Sequence, residues 1–285
     1  MISRRTLRSL GLVGLACCHS ARNEPGDRRP VAAATTGDLA AGPRDAGAAV
    51  DPPAPPATTA EAPEAAPPPA ATRDAVGPFE APMLPGRTVW YALPRALDEH
   101  RLVAHLHGQC APPVYSCGQW LDAGVERGFL VCPTGNEHCT SPMGPAMWDE
   151  SFALMDQDLE RGVAVVERRT DGGIARDDAV LTGFSRGGWA AIEIVGMHPG
   201  RWPHLILIEA DVTITKAILD RAQVRSVAMI AGEQGTELPG ERKSVEQLVA
   251  QGYPAELLVM PGTAHLYSTN IDALMREALD FVLSH

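Results

Sequence analysis

The chain has 285 residues, with 24 Lys+Arg against 35 Asp+Glu and a formal net charge of −11. With no cluster of basic residues beyond the first few positions, it offers no electrostatic footprint for a phosphate backbone, which argues against a nucleic-acid partner. Large apolar residues are almost absent from Arg22 to about Gly77, so length alone overstates the folded mass.

Residues 1–20, "MISRRTLRSLGLVGLACCHS", begin with Arg4, Arg5 and Arg8 and continue into a short apolar run ending in small residues and cysteines. That is the layout of an export signal, too short to stay in a bilayer as a permanent span. "SRRTL" is similar to a twin-arginine export motif, and Leu15-Ala16-Cys17-Cys18 resembles a bacterial lipobox. The second resemblance implies lipidation of Cys18, which has the better-placed leucine; Cys17 has the better small residue before it. The expected location is therefore the bacterial cell envelope, through an N-terminal lipid anchor in the membrane, with a cleaved signal and a periplasmic or secreted product as the alternative. Residues 21–77, as in "DPPAPPATTAEAPEAAPPPAATRD", are dominated by Ala, Pro, Thr and Asp. Such a segment cannot offset its ordering entropy and reads as a proline-stiffened tether.

From about residue 78 the pattern changes. Strands are expected at 87–94 ("RTVWYALP") and 101–108 ("RLVAHLHG"), a helix at 118–128 closed by Gly128, and a strand at 129–133. Four cysteines fall here, Cys110, Cys117, Cys132 and Cys139, with six residues between the first two and six between the last two. An even number in an exported chain implies disulfides. Local pairing, Cys110–Cys117 and Cys132–Cys139, is the first expectation, with cross-pairing of the two loops as the alternative. His105, His107 and His138 lie nearby, but the spacings match no tight zinc pattern, so no metal site and no cofactor is expected.

A helix follows at 151–170, then a strand at 178–184, a helix from Arg186, and strands at 204–210 and 225–232. The chain ends with helix 242–252, strand 255–262 and helix 270–283. Strands alternating with helices imply an α/β fold: a doubly wound, mostly parallel sheet, over residues 78–285, in one domain without a large lid.

"DAVLTGFSRGGWAA" carries the chemistry. An apolar run leads straight into Gly183-Phe184-Ser185-Arg186-Gly187 and a helix leaves straight from it. A strand–turn–helix of this kind holds the serine on strained backbone, requires glycines where neighbouring elements close in, and points helix N–H groups at developing negative charge. The competing reading is a serine that only caps the helix.

With "LHG" before one helix, "GFSRGG" at the turn and "MPGTAH" near the end, the chain resembles the α/β-hydrolase superfamily. Within it the likeness is to secreted esterases of the polyhydroxybutyrate-depolymerase and feruloyl-esterase type. The resemblance implies Ser185 as nucleophile and His265, after the last core strand, as base. It also implies an acid after strand 225–232, where the family has Gly-x-x-Asp and this chain has Gly232-Glu233-Gln234-Gly235. Glu233 is the first expectation for the acid, then Asp211 and Glu237, or no acid at all. Backbone N–H groups of Arg186 and Gln109 are expected at the oxyanion, and Trp148 against the substrate, with burial as its alternative. The function expected is hydrolysis of an ester, polymeric or aromatic, through an acyl-enzyme on Ser185. A serine peptidase on the same fold, or a non-catalytic envelope protein that lost its acid, are the alternatives.

Overall fold

Short apolar runs alternating with amphipathic segments fold as strands and crossover helices in a computed structural model that describes residues 72–141, 144–170 and 173–285. The export signal with Cys17 and Cys18, and nearly all of the tether, lie outside the described residues. Numbering strands in chain order, the eight-stranded sheet runs β1 (Phe79–Leu84), β2 (Arg87–Ala92), β4 (Phe129–Pro133), β3 (Arg101–Leu106), β7 (Ala175–Phe184), β8 (His204–Ile208), β9 (Ser226–Gly232) and β10 (Ala255–Met260). Pairing is antiparallel from β1 to β2 and from β2 to β4, and parallel from β4 through to β10. A two-stranded ribbon, β5 (Glu137–His138) with β6 (Ala146–Met147), stands apart.

Alternation along each strand divides the core between the two sheet faces. Leu102, Ala104 and Leu106 of β3, with Leu205 and Leu207 of β8, face α3 (Phe152–Arg169), α4 (Arg186–Met197), α5 (Lys216–Ala222) and α6 (Leu238–Ala250). Val103, Val180, Ile206 and Ile230 point the other way, onto α1 (Pro113–Gly118), α2 (Leu121–Arg127) and α7 (Ile271–Leu283). α3 illustrates how sequence sets these helices: Ser151 Oγ accepts the Leu154 N–H at 3.3 Å, and Met155, Leu159, Val163 and Val166 form its buried stripe. Arg168 and Arg169 sit in the last turn, where the helix dipole favours cations.

Four details differ from the sequence-based expectation. The helix expected at 118–128 is the shorter α2, starting only after Trp120, whose ring is fully buried, and an unexpected helix, α1, precedes it. Residues 72–77, expected to belong to the tether, pack against the domain. The Arg73 guanidinium donates to Pro94 O at 2.9 Å and Ala96 O at 3.1 Å, fastening this segment to the loop after β2. β1 and α5 are likewise not among the expected elements; in "FEAPML" the exposed Glu80 and Pro82 break the apolar run, as suits an edge strand. Finally, the disulfides are Cys110–Cys139 and Cys117–Cys132, not the local pairs. β3 and β4 are parallel neighbours, so the loops leaving them are adjacent, while α1 presents buried Cys117 to buried Cys132 on β4.

Candidate active site

β7 ends at Phe184 and α4 starts at Arg186, leaving Ser185 alone at the turn with φ 51° and ψ −115°. A positive φ is costly for a non-glycine residue and persists only where the surroundings fix it. Here the Ser185 N–H donates to Ile208 O at 2.8 Å, and Gly187 is pressed against the chain: a Cβ there would overlap the Leu106 and His107 carbonyls. Only glycine allows that approach.

Ser185 Oγ lies 2.8 Å from His265 Nε2. The other ring nitrogen, Nδ1, lies 3.1 Å from Glu209 Oε2 and 3.5 Å from Glu237 Oε1. Carboxylates only accept, so Nδ1 carries the proton and Nε2 is free to accept from the Ser185 hydroxyl. The Glu209 hydrogen bond raises the His265 pKa; burial opposes it, and Glu237 adds to the rise. Glu209 follows β8 directly, at φ 52°, with its side chain fully buried and its N–H donating to Ile230 O at 2.9 Å. Its Oε1 accepts the Gly232 N–H, so both carboxylate oxygens are engaged.

The carboxylate that meets His265 is therefore not the one expected from the sequence. Glu233 is not at the histidine: its Oε2 accepts the Gly262 N–H at 2.9 Å on an exposed part of the loop. Asp211 is exposed and makes no bond to His265, whereas Glu237 is within reach of it. Glu209 was missed, although an ionisable residue closing the apolar run "HLILIE" was the available signal. Gly235 accounts for the exchange: a Cβ there would come within 3.2 Å of Glu209 Oε2 and 3.1 Å of Glu237 Oε2. The space in which an aspartate side chain would begin is bordered by these two carboxylates.

The loop after β3 is held from below. His107 Nδ1–H donates to Gly108 O at 2.8 Å, and its Nε2 accepts the Gly135 N–H at 2.9 Å. Burial pushes the His107 pKa down to about 4, so the ring stays a neutral linker of two loops. His105, pushed down to about 3 by burial, bonds Thr182 Oγ1 at 2.6 Å. Trp148 is 1% exposed; its indole N–H donates to His107 O at 2.9 Å and its ring stacks on His107 at 4.7 Å. The expected substrate contact is therefore corrected: Trp148 supports the loop that carries Gln109.

Two hollows flank that loop. One, of about 420 Å³, is walled by Gln109, Pro112, Tyr115, Phe184 and Leu266 and has Ser185 and His265 in its floor. The other, of about 280 Å³, lies between Gln109, Trp148, Glu150 and Arg186. A larger hollow of about 510 Å³, with Glu256, Arg276 and Phe281 in its wall, contains no part of the Ser185–His265 pair.

The sheet order, the antiparallel second strand and the serine turn after β7 define the α/β-hydrolase fold. The chain matches no protein-family model and no curated protein. Among solved structures it is similar to TT1662 from Thermus thermophilus, with 17% identity, TM-score 0.50, and 73% of this chain and 98% of that one covered. It is also similar to S-formylglutathione hydrolase (FrmB) from Staphylococcus aureus, at 13% identity and TM-score 0.50, over 69% of this chain and 92% of that one. FphF, a fluorophosphonate-binding serine hydrolase of the same organism, matches at 14% identity and TM-score 0.50 over the same shares. Likeness at these identities establishes the shared fold.

Proposed function

We propose that the chain is a serine hydrolase that cleaves carboxylic esters through an acyl-enzyme on Ser185. The observation that carries this reading is the continuous relay from Ser185 Oγ through the His265 ring to buried Glu209. Ser185 Oγ attacks the acyl carbon while its proton passes to His265 Nε2, and Glu209 stabilises the imidazolium that forms. The tetrahedral oxyanion takes the backbone N–H groups of Arg186 and Gln109. Its collapse breaks the ester C–O bond, and the alcohol leaves with the His265 proton. Water, deprotonated by His265, then attacks the acyl carbon and restores Ser185. Two of the structural neighbours are named hydrolases, which supports the class of reaction. The open 420 Å³ hollow suits an aromatic or polymer-borne acyl group at the surface. The disulfides suit an oxidising compartment and so an exported protein, tethered by the residues that precede Thr72 and anchored through Cys18. Gly235, standing where the family has an aspartate, is what motivates the non-catalytic alternative; the Glu209 contact favours an intact relay instead.

A fluorophosphonate probe is expected to label the protein at Ser185, and Ser185→Ala is expected to remove both the label and at least about 10³-fold of p-nitrophenyl ester hydrolysis. Labelling that survives Ser185→Ala overturns the nucleophile. Cleavage of peptides in preference to esters replaces the esterase with a peptidase.

A further inference from the structure

Behind His265 stands more negative charge than one triad acid supplies. Glu209 closes β8, Glu237 opens α6, and Glu241 lies one turn further along α6, buried, accepting the Ala210 N–H at 2.8 Å. Among the described residues, none of these three glutamates is paired with a lysine or arginine; the only cation within reach of Glu209 and Glu237 is His265 itself. Burial pushes Glu241 up to about 9, so it is neutral at pH 7 and the field at the ring comes from the other two. Glu233, bonded to the Gly262 N–H, and exposed Asp211 complete the charged groups around the loop.

The bland role for Glu237 is to cap α6, since it occupies the N-cap position, where an acidic residue favours the dipole. Its side chain makes no capping hydrogen bond. Oε1 instead accepts the Thr236 hydroxyl at 3.0 Å and stands 3.5 Å from His265 Nδ1, while Oε2 is buried with no hydrogen-bond partner. A half-satisfied carboxylate beside a ring that can turn cationic is stabilised chiefly by that ring. Gly235 makes the arrangement possible, because a side chain there would crowd both carboxylates.

We propose that Glu237 is a second positioning residue of this site, gripping the Nδ1 edge of His265 together with Glu209 as a carboxylate pair. The inference rests on the Ser185–His265 reading for its catalytic meaning. Two acids on one ring hold its proton more tightly than one, so the free protein releases it, and His265 becomes a base, at higher pH than a single acid would set. Either carboxylate then retains part of the orienting role when the other is neutralised.

The test uses the full chain, labelled with ¹⁵N-histidine, with the His265 ring nitrogens titrated by NMR in wild type, Glu237→Gln, Glu209→Gln and the double variant. Loss of a charge 3.5 Å from a half-exposed ring is expected to lower the His265 midpoint by about one pH unit in Glu237→Gln, a tenfold change in proton affinity. The acid limb of kcat/KM for p-nitrophenyl esters should move down by the same amount, a change that a capping role would not produce. Glu209→Gln should lose about 10²-fold in kcat and the double variant about 10⁴-fold. An unchanged midpoint in Glu237→Gln, or equal losses in Glu209→Gln and the double variant, overturns the carboxylate pair. Should Gln not be tolerated at 237, Glu237→Ala is read the same way. The titration needs no turnover: a shifted midpoint in a protein inert to esters and fluorophosphonate would keep the pair and refute the hydrolase, whereas an active wild type with no shift would do the reverse.

Discussion

The disulfide pairing makes a quantitative prediction, because the two bridges are nested. Cys117–Cys132 closes a span of 15 residues and lies wholly inside Cys110–Cys139, which spans 29. With the inner bridge intact, the outer one closes only the residues that the inner does not, 29 less 15, or 14. Loop-closure entropy for spans of this size is about 3 kcal/mol, so removing either bridge alone as a double alanine variant should cost about 3 kcal/mol. For a domain of this size that is a fall of about 6–12 °C in Tm, measurable by urea and thermal unfolding. The two variants should differ in activity. Cys110 follows Gln109 directly, so Cys110→Ala/Cys139→Ala frees the loop expected to supply an oxyanion donor and should lower kcat about tenfold or more. Cys117–Cys132 joins α1 to β4 and does not adjoin Gln109 in the chain, so Cys117→Ala/Cys132→Ala should leave kcat within about twofold. A peptide map of unreduced protein showing Cys110 joined to Cys117 would refute the pairing. Costs below about 1 kcal/mol for both variants would refute the entropic reasoning.

Two further outcomes follow from buried groups. Glu241 has its pKa raised by burial from 4.5 to about 9, so the unfolded chain ionises it first, and its contribution to stability is lost as pH rises from 4.5 towards 9. Glu241→Gln keeps an acceptor for the Ala210 N–H and removes that loss; the variant should match wild type near pH 4 and exceed it at pH 8 by on the order of 1–3 kcal/mol in urea unfolding. A difference that is the same at both pH values would count against a neutral buried acid. Trp148→Phe removes the donor to His107 O and should cost about 1–3 kcal/mol while moving KM for p-nitrophenyl esters less than about twofold; a large rise in KM would restore Trp148 to the substrate.

What could be read from the sequence was what is local. The strand–turn–helix at Ser185, the glycines around it and the histidine after β10 are fixed by neighbours within a few residues. Apolar periodicity likewise located β2, β3, β4, β7, β8, β9 and β10, which form most of the sheet. What escaped was set by contacts distant in the chain. Which cysteine meets which depends on β3 and β4 being parallel neighbours. Trp148 reads as an exposed aromatic until His107, far earlier in the chain, is placed against its ring. In the edge strand β1 the exposed Glu80 and Pro82 interrupt the apolar residues, so periodicity does not mark it.

Glu209, the acid proposed here, shows why the Gly-x-x-Asp pattern misled and how the proposed chemistry can do without it. β8 and β9 are adjacent and parallel, so their C-terminal ends lie side by side and both are within reach of the loop that carries His265. An acid can therefore leave from either strand, provided its reach matches its starting point and the other position is cleared. Starting from β8, the chain uses a glutamate whose backbone turns to φ 52° and whose carboxylate is steadied by the Gly232 N–H at the end of β9. Clearing the other position is the part played by Gly235, whose missing side chain leaves the Glu209 and Glu237 oxygens uncrowded. The glycine that looked like a lost aspartate and the glutamate that looked like the end of a strand are thus two halves of one arrangement. Neither is interpretable without the other, because they leave from different, neighbouring strands.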